Sequence, residues 1–309
     1  MIYFLIVVGF ALLLMGGNFL IDGAVMVAKK LKVSPLLIGL VLIGFGTSTP
    51  ELLTSLIAAY KHVEGIAVGN VVGSNIANIF LVLGVAALLR PVPVAKKSFK
   101  RDSLFLLLST GVLIFALLWG RIGFAMGLLM CLTLAFYVFY SYSTEKEIPE
   151  MEESSVGLSK KSLPFALFKT VLGIGMTLYG AQLLVDNSVA LATSWGVSEK
   201  VIGLTIVAIG TSLPELMTSI VASFKRQSAV ALGNVIGSNI YNALFILGAT
   251  ALFLPVAVPA SIESDVVVMT IATLLLLVAG FYSKCIGRKM GVLFLVLYFA
   301  YLFYLGVYS

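Results

Sequence analysis

The sequence is poor in charged residues, histidine and cysteine. Only 11% of its 309 residues are charged, against roughly 25% in soluble domains. One histidine and two cysteines are too few for a disulfide framework or for a cluster of soft-metal ligands. His62 is therefore given no role, and Cys131 and Cys285 are expected to be free thiols. This composition excludes an ordinary soluble domain and a thiolate or imidazole metal centre.

Long apolar runs fill the chain instead. Hydrophobic residues make up 60% of the sequence, and the mean hydropathy is +1.11. A helix needs about 20 mostly apolar residues to cross a bilayer. We predict an all-α integral membrane protein of ten transmembrane helices. The predicted spans are residues 2–28, 36–60, 66–88, 103–119, 122–142, 164–192, 200–224, 228–254, 265–283 and 290–308.

The basic residues between these spans predict an orientation. If the amino terminus is outside, seventeen of the twenty Lys and Arg residues fall on the cytoplasmic side and only Lys61, Arg121 and Lys200 fall outside. Such a bias is typical of cytoplasmic loops. We therefore expect a multi-pass protein of a prokaryotic plasma membrane, with both termini outside. Because the orientation in the membrane accounts for the positive net charge, no nucleic-acid partner is expected. The expected partner is the lipid bilayer, and no obligate protein partner is evident.

The two halves of the chain are related by an internal repeat. At an offset of 164 residues, residues 36–84 and 200–248 share 24 identities in 49 positions without a gap. Each half contains five predicted spans, so the second half enters the membrane from the opposite side. Such inverted repeats are common in secondary transporters, whose substrate sites lie near the midplane between interrupted helices. The expected domains are residues 1–142, a cytoplasmic acidic linker at 143–163, and residues 164–309.

Four acidic residues lie in the interior of predicted spans, where an ionisable group is costly enough to indicate function. Glu51 and Glu215 are equivalent in the two repeats and lie at similar depth. Two such carboxylates together suit a cation. Asp22 and Asp186 lie nearer the span ends, where a hydrated structural role is at least as plausible, and they are not counted among the ion ligands.

Each of these glutamates follows a proline, which cannot donate a hydrogen bond to the carbonyl four residues earlier. Pro50 thereby frees the Gly46 carbonyl, and Pro214 frees that of Gly210. A broken helix at membrane depth is tolerated where the freed groups line a cavity. The same two segments carry hydroxyl groups on the faces of the glutamates, namely Thr47, Ser48, Thr211 and Ser212.

The span after each broken helix carries the pattern Gly-Asn-x-x-Gly-Ser-Asn. Its Ser74 and Asn78, like Ser238 and Asn242 in the second repeat, are one helical turn apart. Carboxylate, carbonyl and hydroxyl oxygens suit hard cations such as calcium and sodium. Helix packing is the alternative interpretation. It accounts for the glycines of the pattern, but it does not require a carboxylate beside a broken helix in both halves.

The segments Gly-Thr-Ser-Thr-Pro-Glu at 46–51 and Gly-Thr-Ser-Leu-Pro-Glu at 210–215, each followed by that pattern, resemble the two alpha repeats of sodium/calcium exchangers in the calcium/cation antiporter superfamily. The resemblance implies calcium bound by the Glu51 and Glu215 carboxylates and the Thr47 and Thr211 carbonyls. It also implies flanking sodium sites formed by Ser48, Ser74, Ser212, Ser238 and the carbonyls of Gly44 and Ala208. Asn78 matches the polar residue at its position. Asn242 departs from members that carry Asp there, which argues against potassium dependence.

The sequence therefore predicts an alternating-access antiporter that exchanges one calcium ion for several sodium ions, most simply three. No catalysis and no cofactor are expected, because the ions bind as transported substrates. Two alternatives remain open from the residues alone: a proton/calcium antiporter, in which the glutamates take up protons, and a passive cation channel. The linker at 143–163 is either a solvated connection or a weak regulatory calcium site.

Overall fold

The structure is a computed structural model that describes residues 1–144, 162–196, 208–259 and 262–308. Helices form nearly all of these residues, as the apolar runs predict. The helices are α1 (Ile2–Leu31), α2 (Pro35–Ile38), α3 (Gly44–Thr47), α4 (Thr49–Tyr60), α5 (Glu64–Ala77), α6 (Gly84–Leu89), α7 (Lys96–Leu118), α8 (Phe124–Thr144), α9 (Leu163–Ser194), α10 (Ala208–Gly210), α11 (Leu213–Phe224), α12 (Ser228–Tyr241), α13 (Leu247–Phe253), α14 (Glu263–Tyr282) and α15 (Arg288–Tyr308). The π-helical segments are π1 (Gly39–Ile43), π2 (Asn78–Leu83) and π3 (Asn242–Ile246). The strands are β1 (Val92–Pro93), β2 (Arg121–Ile122), β3 (Val256–Ala257) and β4 (Cys285–Ile286).

The predicted helical membrane fold is confirmed. Among the described residues, eight helical stretches are long and apolar enough to cross a membrane, or nine when the bent pair Pro35–Thr47 and Thr49–Tyr60 is counted as one span. The remaining predicted span, 200–224, begins in residues outside the described ranges. Its described part consists of α10 and α11.

One predicted span was misplaced at its start. The sequence predicted a helix over 103–119, whereas α7 begins at Lys96 and includes Arg101 and Asp102. Asp102 is fully buried and was missed as an acid within a helix. Arg101 Nε donates to its Oδ1 at 2.7 Å, and the Tyr137 hydroxyl of α8 donates to the same oxygen at 3.2 Å. This acid is thus paired and joins α7 to α8, which a hydropathy window cannot reveal.

Reciprocal contacts relate the two repeats. The Asn75 and Asn239 side chains each donate to the other residue's main-chain oxygen at 3.4 Å, and these residues are equivalent at the offset of 164. Strand β1 pairs with β4, and β2 with β3, in antiparallel registers that the same offset interconverts. Because each contact recurs with the repeats exchanged, the described halves are related by an approximate two-fold axis, as inverted repeats require.

The two strand pairs mark the two membrane faces. We call the β1–β4 side the basic face. It includes the end of α1 and the starts of α2, α7 and α9, with most of the Lys and Arg residues. The β2–β3 side, where α4 ends and α5 begins, is the opposite face. The predicted linker at 143–163 lies almost wholly outside the described residues, so the domain boundaries stay predictions.

Helices α1 and α9 run antiparallel and pack through glycine; we call them the α1–α9 pair. A Cβ atom added to Gly9 would lie 2.9 Å from the Gly180 oxygen, and one added to Gly173 would lie 2.9 Å from the Gly16 oxygen. Contacts this short allow no larger residue without displacement of the backbone. Small residues are the usual means of close helix approach in membranes. The two backbones therefore touch directly.

The centre of the molecule is formed by α5, π2, α12 and π3. Helix α12 packs against α2 and π1 so closely that a Cβ atom on Gly233 would lie 2.2 Å from the Leu36 oxygen, and one on Gly237 would lie 2.3 Å from the Leu40 oxygen. Gly233 and Gly237 thus have the packing role that the sequence assigned to the glycines of the pattern, and they hold the polar positions of α12 against the first broken helix. For Gly69 and Gly73 the same prediction is wrong in this structure, because a Cβ atom added to either would meet no atom within 4 Å.

Candidate cation site

The first broken helix changes direction at Ser48. The axes of Pro35–Thr47 and Thr49–Tyr60 differ by 41°, and Ser48 has φ −81° and ψ 8°. Ser212 has nearly the same conformation, with φ −89° and ψ 5°, before α11. Pro50 and Pro214 are the second residues of the helices that follow, a position that needs no main-chain donor. The proline-associated break is therefore present in both repeats.

Both glutamates lie in the first turn after the break, and both are buried. Glu51 is 1% exposed and Glu215 is 0% exposed. The partial positive charge at a helix N-terminus favours a carboxylate there. The two carboxyl groups lie near enough for the charge of one to act on the other. The structure thus brings together the pair that the sequence singled out.

Contacts between the repeats close the site. The Ser48 hydroxyl donates to Glu215 Oε1 at 3.4 Å. Thr47 Oγ1 lies 3.3 Å from Asn234 Oδ1 and 3.1 Å from the Ile43 oxygen, and either can accept its proton. Residues of the first broken helix therefore meet the carboxylate and the amide of the second repeat.

The serines of α5 and α12 take corresponding places. Ser74 lies beside the Glu51 carboxyl group. The main chain of Gly44 lies against Ser238, whose nitrogen would be 3.0 Å from a Cβ atom on the glycine. Ser74 and Ser238 are buried, as are Ser212, Asn78 and Asn242. Thr211 is half-buried, and Ala208 begins the short helix α10.

We call the buried polar residues around Glu51 and Glu215 the cluster. Many oxygens of the cluster have no hydrogen-bond partner among the described residues. They are both carboxylate oxygens of Glu51, Oε2 of Glu215, the hydroxyls of Ser212 and Ser238, and the amide oxygens of Asn78 and Asn242. Burial of an unpaired polar atom costs about 1–3 kcal/mol, and most such atoms in proteins are paired. Unpaired buried oxygens from α4, α11, α12, π2 and π3 are suited to coordinate hard cations, which prefer oxygen ligands.

Two asparagines that the sequence did not assign to the site form hydrogen bonds with the main chain of its two glutamates. Asn70 Nδ2 donates to the main-chain oxygen of Glu51 at 3.0 Å and to the Ser55 hydroxyl at 3.1 Å. Asn234 Nδ2 makes the equivalent bonds to the Glu215 oxygen at 3.5 Å and to the Ser219 hydroxyl at 3.3 Å. The signal was available, because each asparagine follows the first glycine of the repeated pattern.

The π-helical segments were also not predicted. Asn78 begins π2 and Asn242 begins π3, while π1 ends immediately before Gly44. A π-helical turn inserts one extra residue into the helix and is frequent at functional sites. Here each segment changes the phase of its helix next to a residue of the cluster. No local sequence pattern marks these turns.

The two repeats differ in how deeply their residues around the cluster are buried. Gly233, Asn234 and Gly237 of α12 are buried, whereas their equivalents Gly69, Asn70 and Gly73 of α5 are partly exposed. The exposed positions lie toward the opposite face, where α5 begins. The cluster is therefore sealed more tightly on the basic face than on the opposite face.

One known protein family matches nearly the whole chain. The family described as sodium/calcium exchanger protein matches residues 1–143 and 165–307. An uncharacterized membrane protein of Methanocaldococcus jannaschii is 39% identical over 96% of this chain and 94% of its own length. The sodium/calcium exchanger MaX1 of Methanosarcina acetivorans is 34% identical over 97% of both chains.

A solved structure has the same fold. The sodium-calcium exchanger NCX_Mj, soaked with 2.5 mM Na⁺ and 10 mM Sr²⁺, superposes with a TM-score of 0.84 and 34% sequence identity. The superposition covers 97% of this chain and 98% of that one. Similarity of this extent, over both repeats, excludes a match confined to one motif.

Replacement of Asn234 by alanine tests the support of the cluster. The substitution removes the donor to Glu215 and the acceptor beside Thr47, and we expect a loss of about 1–3 kcal/mol in stability together with a weaker stabilisation by calcium. Thermal unfolding of the purified protein, with and without calcium, measures both. Asn187→Ala is the control, because its amide also donates to a main-chain oxygen, that of Leu183, but on α9. An undiminished calcium-induced shift in Asn234→Ala would contradict the assignment.

Proposed function

Because the chain belongs to the sodium/calcium exchanger protein family, we propose that it is a secondary antiporter that exchanges calcium for sodium across a cell membrane by alternating access. The observation that carries the proposal is the pair Glu51 and Glu215. These carboxylates are buried at equivalent helix breaks of two inverted repeats, and unpaired oxygens surround them. The basic face is proposed to be cytoplasmic, since Lys and Arg concentrate there.

We assign the calcium ligands to the centre of the cluster. Calcium takes six to eight oxygens, which the two carboxylates and the main-chain oxygens of Thr47 and Thr211 begin to supply. The oxygens proposed for the flanking sodium ions are the hydroxyls of Ser48, Ser74, Ser212 and Ser238 with the carbonyls of Gly44 and Ala208. Asn78 and Asn242 complete the set with amide oxygens. Two negative charges balance one divalent ion, which accounts for the number of carboxylates.

Three sodium ions per calcium ion is the proposed stoichiometry. Against 100 mV, the export of one divalent ion costs about 4.6 kcal/mol, and a tenfold sodium gradient supplies about 1.4 kcal/mol per ion. Each entering sodium ion also gains about 2.3 kcal/mol from the same potential. After the cost of calcium export, two sodium ions leave about 2.8 kcal/mol for a calcium gradient, equivalent to about a hundredfold, whereas three leave about 6.5 kcal/mol. Of these two ratios, only three sodium ions can sustain a calcium gradient above about ten-thousandfold.

The coupling experiment tests the exchange itself. In proteoliposomes loaded with sodium, we expect external calcium to enter, and we expect external sodium to compete with it, because both ions use one cluster. A proton gradient should not replace internal sodium. Replacement of potassium by an inert organic cation should leave the rate unchanged, because Asn242 supplies no further charge. Calcium uptake at full rate without an exchangeable ion inside would reject antiport and favour a channel.

Neutralisation of either central glutamate tests the assigned ligands. Glu51→Gln or Glu215→Gln keeps the side-chain shape but removes one of two buried charges. With calcium bound, each carboxylate is one partner of a buried ion pair, and removal of one partner of such a pair typically costs about 3–5 kcal/mol, so exchange should fall at least about a hundredfold. Glu263→Gln, at an exposed position at the start of α14, is the control and should exchange normally. Normal exchange by a folded central variant would show that calcium binds elsewhere.

The stoichiometry predicts sensitivity to voltage. A site of charge −2 becomes neutral with one calcium ion and +1 with three sodium ions, so one net charge should cross the membrane per cycle. A potential imposed with valinomycin should therefore accelerate calcium uptake in one direction and slow it in the other. Rates that do not change with the potential would instead indicate two sodium ions or two protons per calcium ion.

A further inference from the structure

A second cluster of charges, outside the ion site, lies at the basic face. Asp22 of α1 forms an ion pair with Lys169 of α9, whose Nζ is 2.8 Å from Asp22 Oδ2. Lys225, immediately after α11, forms an ion pair with Asp22 Oδ1 and also donates to the Asn18 oxygen at 3.1 Å. All three side chains are partly buried, between 17% and 27% exposed. Neither the ion site nor the helix breaks require these charges.

The two ion pairs differ in what they join. Asp22 and Lys169 both belong to the α1–α9 pair, so their contact lies within it. Lys225 belongs to the second broken helix, whose Glu215 is part of the ion site. The Asp22–Lys225 ion pair therefore connects the α1–α9 pair to the helix that carries one of the carboxylates.

The inverted repeat places the same two residue types at the other end of the α1–α9 pair. The offset of 164 residues relates Asp22 to Asp186 of α9, and Lys225 to Lys61, immediately after α4. Both equivalents lie toward the opposite face, and both are exposed. Among the described residues, neither Asp186 nor Lys61 has an ion-pair partner within 4.0 Å. One copy of the Asp–Lys pair is thus formed and the other is not.

The difference between the two Asp–Lys pairs coincides with the difference in burial around the ion site. The formed pair lies at the basic face, where α12 packs tightly against α2 and π1. The unformed pair lies at the opposite face, where Gly69, Asn70 and Gly73 are partly exposed. The two observations are independent, since one concerns charges at the helix ends and the other concerns packing around the site.

We propose that the two Asp–Lys pairs are alternating latches: Asp22–Lys225 holds the basic face closed while the opposite face is open, and Asp186–Lys61 forms in its place when the opposite face closes. The proposal rests on the alternating-access function proposed above. In an inverted repeat, the conformation open to the other face is obtained when the two halves exchange conformations. The contacts of Lys225 in one state should then be made by Lys61 in the other.

The latches are not equal. Lys169, which also binds Asp22, has the apolar Leu5 as its equivalent, so the opposite face lacks a second lysine at that position. The basic-face latch therefore holds its aspartate with two cations and the opposite-face latch with one. In the absence of ions, the state with the basic face closed should be the more populated one.

Cross-linking of paired cysteines tests the proposal directly. In a background in which Cys131 and Cys285 are replaced by serine, one variant carries Asp22→Cys with Lys225→Cys, and the other carries Asp186→Cys with Lys61→Cys.

A short, reducible bifunctional thiol reagent should cross-link both pairs in the purified protein. Each cross-link should stop calcium exchange, and reduction should restore it. The single-cysteine variants control for simple modification. Absence of a cross-link at the second pair, or normal exchange by either cross-linked protein, would overturn the proposal.

A third variant tests whether the latches exclude each other. Lys225→Gln, added to the variant with cysteines at positions 61 and 186, breaks the first latch and should raise the cross-linking yield at the second at least twofold. Lys169→Gln should raise it less. An unchanged yield with Lys225→Gln would show that the first ion pair is only structural. Because yields are measured in detergent without ion gradients, they do not depend on the exchange of calcium for sodium, and the two proposals can fail separately.

Discussion

The architecture depends on two carboxylates in the centre of an apolar protein. Charge at membrane depth is expensive unless it is compensated, and Glu51 and Glu215 are compensated by helix N-termini, by the hydroxyl of Ser48 and by main-chain bonds that hold their helices in place. Even with these contacts, both carboxylate oxygens of Glu51 and Oε2 of Glu215 have no hydrogen-bond partner among the described residues. The breaks, the prolines and the close glycine contacts of α12 all serve to bring these groups to one place. A carboxylate pair that bound its own protein fully would have nothing left to offer a cation.

Much of this site could be predicted from the sequence because the motif occurs twice. A single Pro-Glu pair within a hydrophobic run is ambiguous, whereas Glu51 and Glu215 at a fixed offset define both a site and a symmetry. The supporting bonds of Asn70 and Asn234 could not be derived in the same way, since they depend on how helices cross. The π-helical segments and the buried Asp102 follow from packing between helices distant in sequence, which neither periodicity nor hydropathy records.

The two repeats also show that similar sequences need not have the same environment. Gly69 and Gly233 occupy equivalent places in the pattern, and so do Lys61 and Lys225. Gly233 is packed and Lys225 is paired, whereas Gly69 is partly exposed and Lys61 is exposed. Sequence alone predicts two equal halves. Under the alternating-access cycle proposed above, the difference between them is a property of this conformation, and it identifies the contacts that the other conformation should exchange.

The glycine contacts between α1 and α9 have a mechanical consequence. Where backbone touches backbone, as at Gly9 with Gly180 and Gly16 with Gly173, no flexible side chain lies between the helices to absorb a displacement. In the alternating-access cycle proposed above, the pair would therefore move as one rod of fixed length, and a shift that opens a gap at one end would close a gap at the other. Stiffness would then protect against leakage, because both ends of a rigid rod cannot be withdrawn at once.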